Sequence, residues 1–426
     1  PDYVQYALDY ALTVKQPDGQ EVNYSKEMMK LYFQNEDPSF DLLFDSQDEG
    51  QTYIDRYKAN ILADGSTVVA ERVSFAPQPQ SAMTIIDQHT GYVRAIIGGR
   101  GTKTASLTLN RATDSTRQPG STFKIVSTYA PALNEKGMTL ATTYEDEPIT
   151  YENGAPVNNA GGNFNGTTTL RTAIRNSVNT VAVQCFEDVT PKLGLKYLDN
   201  FGFTTLAHGT EADTDANGNV YTDANLPTAL GGLTYGVKNI ELCAAYAAIA
   251  NGGNYIKPVY YTKILDHNGN VLIENNSAGR SVIKETTAYL LTSALEDVVQ
   301  NGTGTACQLD NMAVAGKTGT TDEYNDLWFV GYTPYYTCAV WSGYDGNQKI
   351  PEGDARNFHK TLWRKVMSRI HQGMEYKEFE QPAGIEQISV CSETGLLPRA
   401  GCPVIEEYFD VATIPTDYCD QHFYDY

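Results

Sequence analysis

The chain has 426 residues, of which 41% are hydrophobic and 19% are charged, and its formal net charge is −21. This length predicts one large domain with smaller flanking pieces, and the composition is typical of a globular protein with a buried core. The negative charge argues against nucleic acid or anionic lipid as a direct partner, and the sequence lacks any run of about 18 apolar residues that would predict a membrane span.

The first part of the chain combines several patterns. An amphipathic opening is followed by helical patterns at 26–33 and 51–62, and we interpret 1–78 as a linker subdomain. The first residues lack the charged and then apolar pattern of a signal peptide. We therefore expect the chain to be a fragment whose targeting signal lies upstream.

A different pattern begins at residue 81. Two β-rich runs, 82–87 and 92–97, are joined by a turn that ends at Gly91, which predicts an antiparallel hairpin. Helices are predicted at 121–136, 170–177, 180–189, 238–250 and 284–300. A surface loop is predicted at 207–225, and strands at 312–315, 327–332 and 336–344. Early and late strands with helices between them indicate an α/β (α+β) domain built on one antiparallel sheet.

The first segment that suggests chemistry is 118–124, which reads QPGSTFK. Ser121 opens a predicted helix, where free backbone N–H groups and the helix dipole favour negative charge. Lys124 lies three residues further on, and therefore on the same face. A desolvated lysine beside a hydroxyl can lose its proton and activate that hydroxyl as a nucleophile. An ordinary capping serine followed by a solvated lysine has the same spacing.

The second segment is 176–180, which reads NSVNT and lies between two predicted helices. Ser177 and Asn179 could together donate to and accept from a bound amide, with Ser177 relaying a proton to a leaving amine. Taken alone, the segment fits helix capping better.

The third segment is 315–321, which reads AGKTGTT and follows a predicted strand. Lys317 adds positive charge, the hydroxyls can bind a carboxylate, and Gly319 lets a substrate approach the backbone. The letters GKT also end a phosphate-binding P-loop, but that motif requires a glycine at the position of Asn311. The nucleotide-binding interpretation is therefore rejected.

The three segments occur in the order S-x-x-K, S-x-N and K-T-G, which is the signature of penicillin-binding proteins and serine β-lactamases. The sequence around the motifs resembles the transpeptidase domain of class A penicillin-binding proteins over roughly residues 80–370. The similar segments are 87–99, 110–112, 117–121, 169–171, 302–306 and 326–332. The chain departs from this pattern at Ile125, where the family usually has proline.

The resemblance implies the penicillin-recognising fold, an antiparallel sheet sandwiched by helices with a helical subdomain beside it. The expected domains are the linker subdomain 1–78, a transpeptidase domain 79–372 and a C-terminal extension 373–426. The membrane anchor and glycosyltransferase domain of the family would lie upstream. The expected location is therefore the cell envelope, on the outer face of the cytoplasmic membrane.

The resemblance also implies roles for the motif residues. Ser121 would be the nucleophile and Lys124 its base. Ser177 would relay a proton, and Asn179 would contact the substrate amide. Lys317 would support the pattern of positive charge in the site. Thr318, Gly319 and Thr320 would form the substrate-binding strand. The implied reaction is D,D-transpeptidation of peptidoglycan stem peptides ending in D-alanyl-D-alanine, blocked covalently by β-lactams. It needs no metal or organic cofactor.

Three alternatives remain open at this point. A D,D-carboxypeptidase or a β-lactamase would have the same fold, and a non-catalytic scaffold or β-lactam-sensing domain would retain the fold without the reaction. A class A β-lactamase carries a deacylating glutamate in the pattern E-x-x-L-N. No glutamate between Ser177 and Lys317 fits that pattern.

Seven cysteines complete the set of chemically distinctive residues. Cys185, Cys243, Cys307 and Cys338 have apolar surroundings and are predicted to be buried thiols. The C-terminal group has the spacing C-x10-C-x16-C-x2-H and comprises Cys391, Cys402, Cys419 and His422. Zinc could accept these ligands, but the wide gaps favour a disulfide among the three cysteines of an exported protein. Unpaired thiols are the third alternative.

Overall fold

The structure, a computed structural model, describes residues 4–103, 106–275 and 277–422. The chain divides into two compact units. One contains 1–80, 100–108 and 343–355, and the other contains 81–99, 109–342 and 356–426. The first three residues, on which the expectation of a fragment partly rests, and the last four residues of the predicted C-terminal extension lie outside the described residues.

The first unit is a sheet covered by two helices. In chain order its elements are β1 (Gln5–Lys15), β2 (Glu21–Ser25), α1 (Lys26–Gln34), β3 (Leu43–Phe44), α2 (Gln47–Ile61) and β4 (Thr67–Gln78). Strand β1 pairs antiparallel with β2, β3 and β4. Alternate β1 side chains from Leu8 to Val14 are buried in one cluster with Phe33 and Ile54 of the helices. The two predicted helices are confirmed, and the amphipathic opening is a strand.

The second unit contains all the segments that suggested chemistry. Its strands are β5 (Gln80–Asp87), β6 (Tyr92–Ile97), β7 (Thr143–Asp146), β8 (Ile149–Thr150), β9 (Pro156–Val157), β10 (Gly166–Thr169), β11 (Asn254–Tyr255), β12 (Lys263–Leu265), β13 (Val271–Glu274), β14 (Arg280–Ser281), β15 (Ala315–Thr320), β16 (Asp326–Tyr332), β17 (Thr337–Gly343), β18 (Ile385–Cys391) and β19 (Val404–Asp410). Its helices are α3 (Ala130–Glu135), α4 (Leu170–Asn176), α5 (Asn179–Val189), α6 (Pro191–Asn200), α7 (Asn239–Ala250), α8 (Glu285–Asn301) and α9 (Phe358–Ile370).

The central sheet has the strand order β15-β16-β17-β5-β6. Strands β5 and β6 form the predicted antiparallel hairpin, and β15 pairs antiparallel with β16. On β16, Trp328 and Val330 belong to one buried cluster, whereas Phe329 belongs to another with Trp363 of α9. Because successive strand residues point to opposite faces, both faces of this sheet are covered. The predicted sheet formed by early and late strands and sandwiched by helices is confirmed.

One local prediction was wrong, and the helix predicted at 121–136 is present but irregular. The strand predicted at 312–315 is instead β15, so the K-T-G segment lies within a strand. Pairing with the buried strand β16 outweighs the low strand propensity of its glycines. The segment after Ser121 is helical but irregular, with a 3₁₀ turn at Gly120–Thr122 and a π-helical turn at Ile125–Tyr129 before α3. Pro131 has no N–H, so it cannot continue a regular α-helical ladder.

The predicted disulfide in the C-terminal segment was also wrong. All seven cysteines, each within the described residues, are free thiols. Cys185, Cys243, Cys307 and Cys338 are buried, as predicted. At the end of β18 and in the tail after it, three cysteine sulfurs lie around one histidine nitrogen instead of pairing with each other.

Candidate active site

Ser121 lies in a tight turn whose neighbours are buried. Gly120 has a φ of +54°, which favours glycine, and Ser121 itself remains partly exposed. The indole N–H of Trp328 donates to the Gln118 carbonyl oxygen at 2.9 Å, which ties the turn to strand β16. The turn is therefore fixed from the sheet side while the Ser121 side chain stays accessible.

Two glycines bring the Ser121 turn against strand β15. A methyl group on Gly120 would lie 2.8 Å from the Thr320 carbonyl oxygen, and one on Gly319 would lie 2.5 Å from the Pro119 carbonyl oxygen. Either contact would force the backbones apart. The glycines thus allow the first and third motifs to touch directly, whereas the predicted approach of a substrate to Gly319 stays a prediction.

The second motif lies between helices α4 and α5. Ser177 ends α4 in the left-handed conformation, with φ 59° and ψ 42°. A residue with a Cβ pays roughly 1–2 kcal/mol for this conformation, so the surroundings must hold it in place. Val178 then caps α5, and Asn179 is the first residue of that helix.

Lys124 connects the first motif to the second. Its side chain is fully buried. Its ammonium donates to Asn179 Oδ1 at 2.6 Å, to the Ser177 carbonyl oxygen at 2.8 Å and more weakly to Ser177 Oγ at 3.4 Å. Burial holds the pKa of Lys124 well below its ordinary value, and the nearby charge of Lys317 lowers that pKa further. These surroundings favour the neutral amine of Lys124 more than water does.

Lys317 approaches the same hydroxyl from strand β15. Its ammonium donates to Ser177 Oγ at 2.8 Å and to the Thr318 carbonyl oxygen at 3.1 Å. Burial lowers the pKa of Lys317 to about 7. The Ser177 hydroxyl thus lies between two buried lysines, each with a lowered pKa.

The more exposed residues at the end of β15 carry hydroxyl groups. Thr318 is partly exposed and Thr320 is exposed, whereas Gly319 between them is buried. The Thr318 hydroxyl is hydrogen-bonded to the Thr303 hydroxyl at 2.7 Å. Thr303 lies in a segment that carried the family resemblance, but its sequence context gave it no role.

A polar network behind Asn179 was also not predicted. Asn179 donates its side-chain amide to the Asn158 carbonyl oxygen at 2.6 Å, and its backbone N–H to Asn159 Oδ1 at 2.8 Å. Asn159 in turn donates to Asp146, which also accepts from Thr180. These residues orient Asn179 and the start of α5. No spacing pattern links the segment 146–159 to the motif, so only the fold reveals the network.

The structure therefore brings together four of the motif residues predicted from the sequence. Lys124, Ser177, Asn179 and Lys317 form one hydrogen-bonded cluster. The turn that carries Ser121 touches the strand that carries Gly319 and its threonine neighbours. This geometry is suited to activating a serine with a lysine amine, without histidine.

Comparison with known proteins finds two family models that match this chain. Residues 81–367 match the model of the penicillin binding protein transpeptidase domain, and residues 381–424 match that of the penicillin-binding protein 1A C-terminal domain. Penicillin-binding protein 1A of Clostridium tetani is 35% identical over 362 residues, which cover 81% of this chain and 45% of that protein. The chain thus spans less than half the length of this relative.

Solved structures show the same fold. Penicillin-binding protein 1A from Haemophilus influenzae aligns with a TM-score of 0.67 at 21% identity, over 97% of this chain and 64% of that one. The PonA1 protein from Mycobacterium tuberculosis, solved in complex with penicillin V, aligns with a TM-score of 0.61 at 26% identity, over 71% and 81% of the two chains.

The predicted resemblance is confirmed by these matches. Among the described residues, no helix is both long and apolar enough to cross a lipid bilayer. The family match extends over the central sheet and all three motifs, from the hairpin β5–β6 to helix α9. The chain belongs to the penicillin-binding protein transpeptidase family.

Proposed function

We propose that this chain is the D,D-transpeptidase of a class A penicillin-binding protein, acting through an acyl-enzyme at Ser121. One observation carries the proposal. Two buried lysines with lowered pKa values converge on the hydroxyl of Ser177: Lys124, three residues after Ser121, and Lys317 of strand β15. A scaffold domain would have no need to bury two lysines around one hydroxyl, since burying charge is costly.

In the first half of the reaction, the neutral amine of Lys124 accepts the proton of the Ser121 hydroxyl. The Ser121 oxygen attacks the carbonyl carbon of the penultimate D-alanine, and the backbone N–H groups of Ser121 and Thr320 stabilise the resulting oxyanion. Each such donor typically contributes about 3 kcal/mol to the transition state. The peptide bond then breaks, and the terminal D-alanine leaves as its amine takes a proton through Ser177.

In the second half, the amine of a neighbouring stem peptide attacks the acyl-enzyme ester. The amine loses a proton to the lysine and serine network, the new amide bond forms, and the Ser121 hydroxyl is restored. Asn179 contacts the amide of the donor peptide. Before the terminal D-alanine leaves in the first half, Thr318 and Thr320 bind its carboxylate, with Lys317 supplying positive charge.

Members of this family act on peptidoglycan and bind β-lactams. For this chain we infer a donor stem peptide ending in D-alanyl-D-alanine, an amine acceptor and covalent inhibition by β-lactams at Ser121. The reaction would take place in the cell envelope, on the outer face of the cytoplasmic membrane, with the chain held there by an upstream anchor.

A product assay separates the transpeptidase from a carboxypeptidase. A defined stem peptide is incubated with the full chain, with and without an added amine acceptor, and the products are identified by mass spectrometry. A transpeptidase gives the cross-linked amide when the acceptor is present. Release of D-alanine with only hydrolysed peptide would favour a carboxypeptidase, and no product in either case would favour a scaffold. Ser121→Ala serves as the inactive control.

The β-lactamase alternative differs in how fast the acyl-enzyme is hydrolysed. The glutamates between the second and third motifs are Glu187, Glu211, Glu241, Glu274, Glu285 and Glu296. Within the described residues, none is hydrogen-bonded to Ser121, Lys124 or Ser177. Without a positioned base, deacylation lacks the roughly 10²–10⁴-fold contribution of general base catalysis, so the penicilloyl adduct is expected to persist for many minutes. Multiple turnovers of benzylpenicillin per second would instead identify a β-lactamase.

A further inference from the structure

The C-terminal tail contains a second cluster of reactive side chains, in a region separate from the three motifs. Cys391 ends strand β18, Cys402 precedes strand β19, and Cys419 and His422 lie in the segment that follows. One ligand atom from each of these residues lies within 4.8 Å of the others. Residues from three separate segments therefore converge on one point.

The distances are close to those around one tetrahedral ion. His422 Nδ1 lies 3.2 Å from the sulfur of Cys419, 3.6 Å from that of Cys402 and 3.7 Å from that of Cys391. A tetrahedral zinc with ordinary bond lengths separates a sulfur from a nitrogen ligand by about 3.6 Å. A disulfide would instead bring two sulfurs to about 2 Å.

Backbone hydrogen bonds hold the ligand-bearing segments in place. The Arg399 N–H donates to the Cys402 sulfur at 3.2 Å, a contact that suits a thiolate. The Cys419 N–H donates to the Leu397 carbonyl oxygen at 2.8 Å, and the Gly395 N–H donates to the Cys391 carbonyl oxygen at the same distance. The positions of the four side chains are thus fixed partly by the turn after β18 and not only by the C-terminal tail.

A second layer orients the histidine. Its other ring nitrogen, Nε2, lies 3.2 Å from a carboxylate oxygen of Glu393. A carboxylate that accepts the Nε2 proton leaves Nδ1 free to bind a metal, and it raises the basicity of that nitrogen. Glu393 therefore holds His422 in the ring orientation and tautomer that a metal ligand requires.

We propose that Cys391, Cys402, Cys419 and His422 bind one structural zinc ion. Three thiolates and one imidazole form a closed Cys₃His set, which leaves no open position for a substrate. Binding releases the three thiol protons and gives a site with a net charge of −1.

The small core next to the hairpin β18–β19 gives a physical reason for a metal in the C-terminal tail. The buried cluster next to the hairpin β18–β19 is small, with Val390, Phe409 and Ala141 as its buried members. Small folding units with little buried apolar surface commonly depend on metals or disulfides. A zinc ion would fasten the segment after β19 to the turn after β18, which the sparse core cannot do alone.

The test is zinc stoichiometry on the full chain. Protein purified without chelator or metal-affinity resin is incubated with zinc chloride, freed of unbound metal by gel filtration, and analysed by inductively coupled plasma mass spectrometry. We expect one zinc per chain in the wild type and almost none in Cys402→Ser or His422→Ala. Cys307→Ser, which removes a buried thiol elsewhere, is the matched control and keeps its zinc.

Two further measurements keep the result decisive if those variants unfold. Glu393→Gln leaves all four ligands intact and should weaken zinc affinity by roughly 10- to 100-fold with an unchanged circular dichroism spectrum. Cobalt substitution should give the absorption of a tetrahedral ion with thiolate ligands. A wild type without bound zinc, zinc that persists in all ligand variants, or an intact mass lower by two hydrogens from a disulfide would overturn the proposal.

Discussion

At the scale of single residues, the environment of Lys124 determines how the site would work. Its ammonium is buried within hydrogen-bond distance of the second motif and close to Lys317, which also has a lowered pKa. Both desolvation and the like charge favour the neutral amine. The surroundings of the residue predicted to be the base therefore penalise its charge.

The first prediction is a pH profile. Because only the neutral amine accepts the Ser121 proton, the acylation rate constant for benzylpenicillin should rise as pH increases through the lowered pKa of Lys124. It should fall at lower pH as the amine is protonated. Lys124→Met should lose this dependence and slow acylation by roughly 10²–10⁴-fold. Stopped-flow fluorescence measures both, with Lys136→Met, at an exposed position, as the control. A flat wild-type profile would argue against Lys124 as the base.

The second prediction concerns the left-handed backbone of Ser177. Ser177→Gly and Ser177→Ala both remove the hydroxyl, so both should slow acylation. Only glycine adopts a φ of 59° without strain, so the glycine variant should be more stable than the alanine variant by about 1 kcal/mol. Thermal unfolding of the pair measures this difference directly. Equal stabilities would mean that the backbone at Ser177 is not strained.

The site could be predicted from sequence to the extent that its chemistry lies in short motifs. Ser121, Lys124, Ser177 and Lys317 each stand in a motif whose order along the chain is distinctive. The supporting residues could not be predicted in this way. Asp146 and Asn159 reach Asn179 only through the fold, since a buried carboxylate and an amide have no characteristic spacing in sequence.

At the scale of elements, a strong hydrophobic periodicity and clear signals at the ends were sufficient to predict where several helices and strands lie. The hairpin β5–β6 and the helices α4, α5, α7 and α8 were predicted within a few residues. The positions of strands β1 and β15 were not predicted. Strand β15 contains two glycines and relies on its partner strand, so tertiary pairing and not local propensity determines its position.

The third prediction concerns the ion pair that ties helix α4 to strand β19. The Arg171 guanidinium donates to both carboxylate oxygens of Glu407 at 2.6 Å, and Glu407 is only 1% exposed. Glu407→Ala leaves the arginine without its buried partner and should lower the free energy of unfolding by roughly 3–5 kcal/mol.

Urea unfolding followed by circular dichroism measures this loss. The control is Glu274→Ala, which breaks an exposed ion pair with Lys263 and should cost about 0–1 kcal/mol. A loss of similar size in both variants would mean that the buried pair does not fasten α4 to the C-terminal hairpin. Because α4 ends at Ser177, the Glu407 variant should also acylate more slowly.

At the scale of the whole molecule, the second unit joins distant parts of the chain around one site. Its central sheet places the early hairpin β5–β6 next to the late strand β17, and the strand that carries Lys317 at the opposite edge. The segments that carry Ser121, Ser177 and Lys317 are far apart in sequence. They come together only when this sheet and its helices have packed. Activity is therefore expected to be lost together with the fold of this unit.

The central claim is that Ser121 forms the acyl-enzyme, and intact-mass measurement after incubation with benzylpenicillin tests it most directly. We predict one penicilloyl adduct per chain, which peptide mapping assigns to the fragment containing Ser121 and Lys124. Ser121→Ala should give no adduct while keeping the wild-type circular dichroism spectrum. An adduct that persists in the folded Ser121→Ala variant, or that maps to another serine, would contradict the account.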